Sequence, residues 1–270
     1  GRPVDPSFPL FHSISNVICG LVFGYHFSDE DETFHELISA TENLFRFAGS
    51  LTHQLYEILP WLLHHLPGPH KKALSCYDVL SNFARKEIRI HVERGIPDEP
   101  QDFIDFYLAE MEKVNRLKPK CDEENLVYVI NDLFLGGSET SSTTLHWGLL
   151  YMVMNPDIQE KVQKELDAVL GPSQLICYED RKKLPYTNAV VHEIQRFSNI
   201  VSVGMPRVCV KDTVLLGFPV KKGTIIVPNI ASALYDPEQW ETPRQFNPDH
   251  FLDKDGNFIA REAFLPFSAG

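Results

Sequence analysis

Leu133-Phe134-Leu135-Gly136-Gly137-Ser138-Glu139-Thr140-Ser141-Ser142-Thr143-Thr144 lies at the centre of a long apolar pattern. One apolar arm leads in from Asn125 and a second leaves from Leu145 to Met154. Together the arms predict one helix of about 30 residues, roughly 45 Å long. Two glycines in mid-helix each cost about 1 kcal/mol against alanine, and neighbouring Ser and Thr hydroxyls compete for the backbone ladder. A helix that accepts this at its centre either lets something approach closely or opens its hydrogen bonds for a reason. Glu139 and Thr140 set an acid beside an alcohol at that point. The plainer alternative is a buried helix whose small residues pack tightly against a neighbour.

The totals narrow the field. A chain of 270 residues, 43% hydrophobic, can build a sizeable core. Its net charge of −12 argues against a nucleic-acid partner, because phosphate binding needs clustered cations. Five cysteines, an odd number without metal-type spacing, fit free thiols in a reducing compartment. No signal peptide or run long enough to span a bilayer occurs, and the polar centre disqualifies the long helix as a span. The chain has no initiator Met and stops at Phe267-Ser268-Ala269-Gly270, so it is expected to be an internal fragment of a longer protein.

Around the long helix the pattern is mostly helical. Helices are predicted over 13–25, over 33–46 behind the acidic run Asp29-Glu30-Asp31-Glu32, over about 70–94 and over about 101–113. Leu55-Tyr56-Glu57-Ile58-Leu59-Pro60-Trp61-Leu62-Leu63-His64-His65-Leu66-Pro67-Gly68 is strongly apolar. It reads either as a core turn or as an exposed loop on a membrane interface, and the residues alone favour core. Asn155-Pro156-Asp157 opens another helix, with Asn as N-cap. After Pro185 a short helix carries Tyr186 to Phe197. Small antiparallel strands follow over 213–216, 217–220 and 224–227, with a turn at Lys221-Lys222-Gly223. From Asp236 the chain is a Pro- and aromatic-rich coil.

Glu193 and Arg196 share a helix face at i and i+3. Glu193 borders the apolar arc of Val190, Ile194 and Phe197, so the pair is expected to be partly buried. His192-Glu193 lacks the second histidine of a metalloprotease zinc motif.

Four motifs in order now carry a resemblance. Gly136-Gly137-Ser138-Glu139-Thr140-Ser141 resembles the oxygen-activation motif of the cytochrome P450 haem-thiolate monooxygenases. Glu193-x-x-Arg196 is similar to their Glu-x-x-Arg pair, and Pro243-Arg244-Gln245-Phe246-Asn247-Pro248 to their meander motif Pro-x-x-Phe-x-Pro. Phe267-Ser268-Ala269-Gly270 matches the opening of the haem-binding loop, Phe-x-x-Gly-x-x-x-Cys-x-Gly. Asp102-Phe103-Ile104-Asp105, Pro185-Tyr186-Thr187-Asn188 and Phe246-Asn247-Pro248-Asp249-His250-Phe251 resemble the vertebrate microsomal, drug- and lipid-oxidising branch. Gly1-Arg2-Pro3 and the Pro60–His70 segment look closest to its arachidonate-epoxidising relatives.

The resemblance implies a mainly α fold with a small antiparallel β region, a partial P450 domain over 1–270. The long helix would occupy about 123–154, the β region about 206–230 and the meander about 236–264. It implies haem b held by a cysteine thiolate, dioxygen cleavage and insertion of one oxygen atom into a C–H or C=C bond. Thr140 would hydrogen-bond the activated oxygen, with Glu139 relaying protons. Gly136 and Gly137 would let the backbone approach the haem, Arg207 would contact a propionate, and Phe267 and Gly270 would begin the haem loop. Glu193, Arg196 and Phe246 would be structural, with Arg244 or His250 replacing the cation that many members carry where this chain has Gln245. Asp132, Leu135 and Gly136, with Ile200, Val201, Val203 and Gly204, would line the substrate site. The Pro60–Pro67 segment would lie near the membrane-facing substrate entrance, against the residue-only preference for core.

Partners implied are NADPH-cytochrome reductase, cytochrome b5, lipophilic substrates (fatty acids or xenobiotics) and the cytosolic face of the endoplasmic reticulum membrane. None of Cys19, Cys76, Cys121, Cys177 or Cys209 lies in the haem-loop context, so the ligand cysteine is expected beyond Gly270 and the polypeptide alone is expected to be inactive. The N-terminal anchor and the helix carrying a Trp-x-x-x-Arg haem contact are also expected outside it. The alternative is a catalytically dead truncated product acting as a binding protein.

Overall fold

The computed structural model describes residues 3–115, 123–170 and 176–268, divided between two compact units, Gly1–Thr143 and Thr144–Gly270. The first unit is helical. It contains α1 (Ser7–Phe23), α2 (Glu32–Ala48), α3 (Leu51–Ile58), α4 (Pro60–Leu63), α5 (Pro69–Arg94), α6 (Phe103–Asn115) and the first two-thirds of α7 (Glu123–Met154). Local chemistry sets the helix ends. α1 stops at Gly24, whose φ of 78° suits a residue without a Cβ. The Asp31 carboxylate accepts the Phe34 N–H at 3.1 Å and so caps α2.

The core of this unit is built from one face of each helix. Cys19, Val22 and Phe23 of α1, Phe34 and Leu37 of α2, Leu80, Ala84 and Ile88 of α5 and Ile104 of α6 meet Leu126, Ile130 and Phe134 of α7. Phe27 stacks on Phe34 with ring centroids 4.8 Å apart. An electrostatic clamp joins α5 to α6: His91 Nε2 lies 2.9 Å from Asp102 Oδ2, and Arg94 donates to Asp105 at 2.6 Å.

The apolar segment at 55–66 is not core. Ile58 is 71% exposed and Trp61 70% exposed, and Leu55, Leu62 and Leu66 are exposed as well. The breaks at Pro60 and Pro67 leave α4 only four residues long, too short to bury a face of its own against α2 or α5.

The second unit holds the end of α7, then α8 (Pro156–Leu170), a 3₁₀ turn over Tyr178–Lys183, α9 (Pro185–Ser198), four short strands, α10 (Ile230–Leu234) and a 3₁₀ turn over Pro248–Phe251. The Glu165 carboxylate of α8 accepts the first N–H groups of α9, from Tyr186 at 2.9 Å and Thr187 at 2.7 Å. These are donors that no carbonyl of the helix can reach. Asn155 sits at the start of α8, where its backbone carbonyl accepts the Ile158 and Gln159 N–H groups at 3.1 Å. Its amide donates backwards to the Tyr151 carbonyl at 2.8 Å.

Strand pairing differs from the order of the turns in the sequence. β2 (Thr213–Leu215) and β3 (Phe218–Val220) form a hairpin through Leu216 and Gly217, both at positive φ, which matches the right-handed twist of the strands. β4 (Ile225–Ile226) pairs with β1 (Arg207–Val208) and not with β3. The Lys221-Lys222-Gly223 turn is therefore a corner between two sheets.

Candidate functional site

At the weak point of α7 the two glycines face different ways. A Cβ built on Gly136 would meet no atom within 4 Å, whereas one on Gly137 would sit 2.6 Å from Ile18 Cδ1 of α1. Gly137 is thus a packing glycine, and Gly136 is the open one. Thr140 Oγ1 donates to the Gly136 carbonyl at 2.6 Å, so the hydroxyl is held on the backbone of the preceding turn. Glu139 is half-buried. Burial first, and the nearby Glu42 second, hold its carboxyl above the usual carboxylate range, opposed by a hydrogen bond with Thr143.

In the second unit Glu193 and Arg196 are fully buried, deeper than their sequence position implied. Arg196 places all of its donors. Nε and Nη2 bond the two Glu193 oxygens at 2.7 and 2.8 Å. Nη1 donates to the carbonyls of Leu234 and Pro243 at 2.8 and 3.0 Å, and Nη2 to that of Gln245 at 3.1 Å. Glu193 also accepts the Asn247 N–H at 2.9 Å. The third side chain is His250, not Arg244: its Nδ1 lies 3.3 Å from Glu193 Oε2, and its Nε2 accepts the Thr242 N–H at 3.2 Å. That pattern sets the proton on Nδ1. Arg244 instead lies over the Tyr235 ring at 5.1 Å. The helix and the irregular chain after Asp236 are locked by charge-assisted bonds, mostly to main-chain carbonyls.

The other expected residues fall as follows. In the first unit Asp132 is exposed, and Leu135 borders an apolar cavity of about 360 Å³ walled also by Phe45, Phe47, Tyr56, His70 and Tyr77. In the second unit Val201, Val203, Arg207 and Phe267 are exposed and Ile200 is half-buried. Gly204 is buried, its N–H bonded to the Pro228 carbonyl at 2.8 Å. Phe246 stacks on Tyr151 at 4.8 Å. Gly270 and Cys121 lie outside the described residues. Sequence reasoning missed Gly148, whose added Cβ would stand 3.2 Å from Ile194 Cδ1, and Tyr151. An aromatic four residues after Trp147 on the α7 pattern was the available signal.

The Cytochrome P450 family model matches residues 1–270. The chain belongs to the cytochrome P450 family. It is 44% identical over 270 residues to Cytochrome P450 2J5 of Mus musculus and 44% identical over 271 residues to Cytochrome P450 2J2 of Homo sapiens. It is 41% identical over 272 residues to Cytochrome P450 2B9 of Mus musculus. Each alignment covers 100% of this chain and 54 or 55% of the relative, so the chain spans about half the length of the curated relatives it matches.

Membership implies a haem. The open edge at Gly136, where an added Cβ would meet nothing within 4 Å, leaves room for a flat group beside α7. The described cysteines lie apart in the fold. Burial pushes Cys19 up to about 12, Cys76 is buried, Cys177 Sγ donates to Asp180, and Cys209 Sγ donates to the Lys211 carbonyl.

Proposed function

We propose that the chain is part of a haem-thiolate monooxygenase, its two units parts of one P450 domain, which inserts one oxygen atom of dioxygen into lipophilic substrates such as fatty acids or xenobiotics. The observation that carries this is the centre of α7, where an unobstructed glycine edge, a hydroxyl and a carboxyl occur together. When bound, the haem supplies the binding and cleavage of dioxygen with electrons from NADPH through the flavoprotein reductase, and with cytochrome b5 as a second donor. Thr140 Oγ1 holds its proton on the Gly136 carbonyl and can turn it toward a group beside Gly136. Glu139, whose carboxyl burial and Glu42 make a tighter holder of its proton than a solvated glutamate, resupplies that proton. Asp132, Leu135 and Gly136, with Ile200, Val201, Val203 and Gly204, line the substrate site. Arg207 holds a propionate, Phe267 and Gly270 open the haem loop, and Glu193, Arg196 and Phe246 fix the meander. The exposed Leu55, Ile58, Trp61 and Leu62 rest on the cytosolic face of the endoplasmic reticulum membrane.

The test is Thr140→Ala in the full-length protein. Reduced oxygen should escape as peroxide, and product formed per NADPH consumed should fall. An unchanged ratio removes Thr140 from the proton path.

A further inference from the structure

We infer that the apolar cavity of the first unit binds uncharged lipophilic molecules that carry one hydrogen-bond acceptor, and that His70 is the residue that selects them. The inference rests on the functional reading above, in which Leu135 of the cavity wall lines the substrate site, and it names which lipophilic molecules that site prefers.

His70, in the first turn of α5, is 3% exposed, and its Nε2 is buried without a hydrogen-bond partner. Its ring is nonetheless well placed. It stacks on Tyr56 at 5.2 Å with an interplanar angle of 23°. Its Nδ1–Cε1 edge lies against Gly68, where an added Cβ would meet those atoms at 3.0 and 3.1 Å, so the glycine makes room for the imidazole. Leaving a buried polar nitrogen unpaired is costly, and the large majority of such groups in folded proteins have a partner. Packing alone would be served better by phenylalanine. The same ring stands in the wall of the cavity of about 360 Å³, beside Phe45, Phe47, Tyr77 and Leu135, a size that suits a small molecule. No hydrogen bond to Nε2 fixes the tautomer, so the N–H can sit on either nitrogen. A half-turn about χ2 exchanges the edges of the ring and keeps the stack on Tyr56. A donor is therefore available to an acceptor seated in the cavity.

The walls decide the class of ligand. The lining is almost wholly apolar and includes no Lys, Arg, Asp or Glu. A carboxylate head would give up its hydration for a single imidazole, and burying a charge is far more costly than burying an ester or ketone oxygen. His53, also in the wall, lies 3.7 Å from the Glu57 carboxylate, which repels an anion. An uncharged molecule with one carbonyl oxygen escapes both penalties and gives His70 the partner that the protein does not.

The experiment compares the full-length haem-loaded protein with its His70→Phe variant, which keeps a ring for Tyr56 but has no N–H. It reads dissociation constants for methyl laurate, laurate and dodecane, the haem Soret band with each, and the melting temperature without ligand. The parent should bind methyl laurate more tightly than laurate. His70→Phe should weaken methyl laurate about tenfold, as for one lost hydrogen bond, and leave dodecane unchanged. It should also melt no lower than the parent, since His70 Nε2 gives up no protein partner. Overturning results are methyl laurate binding that His70→Phe does not change, an equal loss for methyl laurate and dodecane, which is a deformed cavity alone, or laurate held more tightly than its ester. A variant that fails to fold overturns it as well, because the ring would then have a structural role. Binding of methyl laurate that depends on His70 but leaves the Soret band unmoved would keep the ligand assignment and sink the functional reading of Leu135, so the two failures are distinguishable.

Discussion

Arg196 offers the most quantitative test of how the second unit is held. Its guanidinium has five N–H donors, and each meets an acceptor: two oxygens of Glu193 and the carbonyls of Leu234, Pro243 and Gln245. Arg196→Met leaves the Glu193 charge buried with only Asn247 N–H and His250, and breaking a buried pair from one side costs about 3–5 kcal/mol. Arg196→Lys keeps the charge but has three donors, so at least two acceptors go unpaired at roughly 1–3 kcal/mol each. Both variants should therefore lose a large part of a total that for a folded domain is only about 5–15 kcal/mol. Combining Glu193→Leu with Arg196→Met removes the stranded charge and should recover part of the loss. Recovery stays incomplete because the three carbonyls and the Asn247 N–H still lack partners. Denaturant unfolding followed by tryptophan fluorescence reads this locally, since the Arg196 guanidinium lies 5.0 Å from the Trp240 ring. A loss below about 1 kcal/mol in Arg196→Met, as at an exposed pair, would refute the account. A double variant as stable as the parent would show that the carbonyl bonds contribute nothing.

Gly136→Ala should raise stability by about 1 kcal/mol, since the added Cβ meets nothing and alanine is the better helix former. The same methyl should cut turnover, and a melting-temperature gain with unchanged turnover would mean the open edge is not used. The Glu139 carboxyl holds its proton more tightly in the folded chain than a solvated glutamate does. Its contribution to stability is therefore present at low pH and declines as pH rises through the raised value. Glu139→Gln should remove that slope, and in the parent product per NADPH should fall over the same rise. Trp61→Ser with Leu62→Ser should weaken liposome partitioning at least about tenfold, each apolar side chain contributing roughly 1.5–3 kcal/mol on burial in lipid. Unchanged sedimentation with vesicles would discard the membrane contact.

Legibility in the sequence followed the range of the interactions. The apolar arms of α7 and the i, i+3 spacing of Glu193 and Arg196 are local, and both could be read directly. The carbonyls that receive Arg196 belong to residues 38 to 49 positions away, and no pattern in the chain announces them. Gly136 and Gly137 are adjacent letters but stand about 100° apart around a helix, so only the packing of Ile18 tells which is open. At 55–66 an apolar composition is equally compatible with core and surface, and the two prolines decide by leaving no helix long enough to bury. The strand order was misleading because Lys221-Lys222-Gly223 has good turn chemistry. The hairpin instead closed at Leu216-Gly217, where a leucine accepts a positive φ of 50°.

Because Arg196 is received by main-chain oxygens, the side chains at 234, 243 and 245 are not specified by those bonds. Any residue that keeps the local backbone path presents the same acceptor, and the glutamine at 245 satisfies the lock as well as a cation would. Mutational drift should therefore be tolerated along this stretch wherever a side chain points outward. The arginine itself has no substitute among the standard residues, since no other carries five donors. A saturation-mutagenesis profile of the region should read as one closed position facing several open ones.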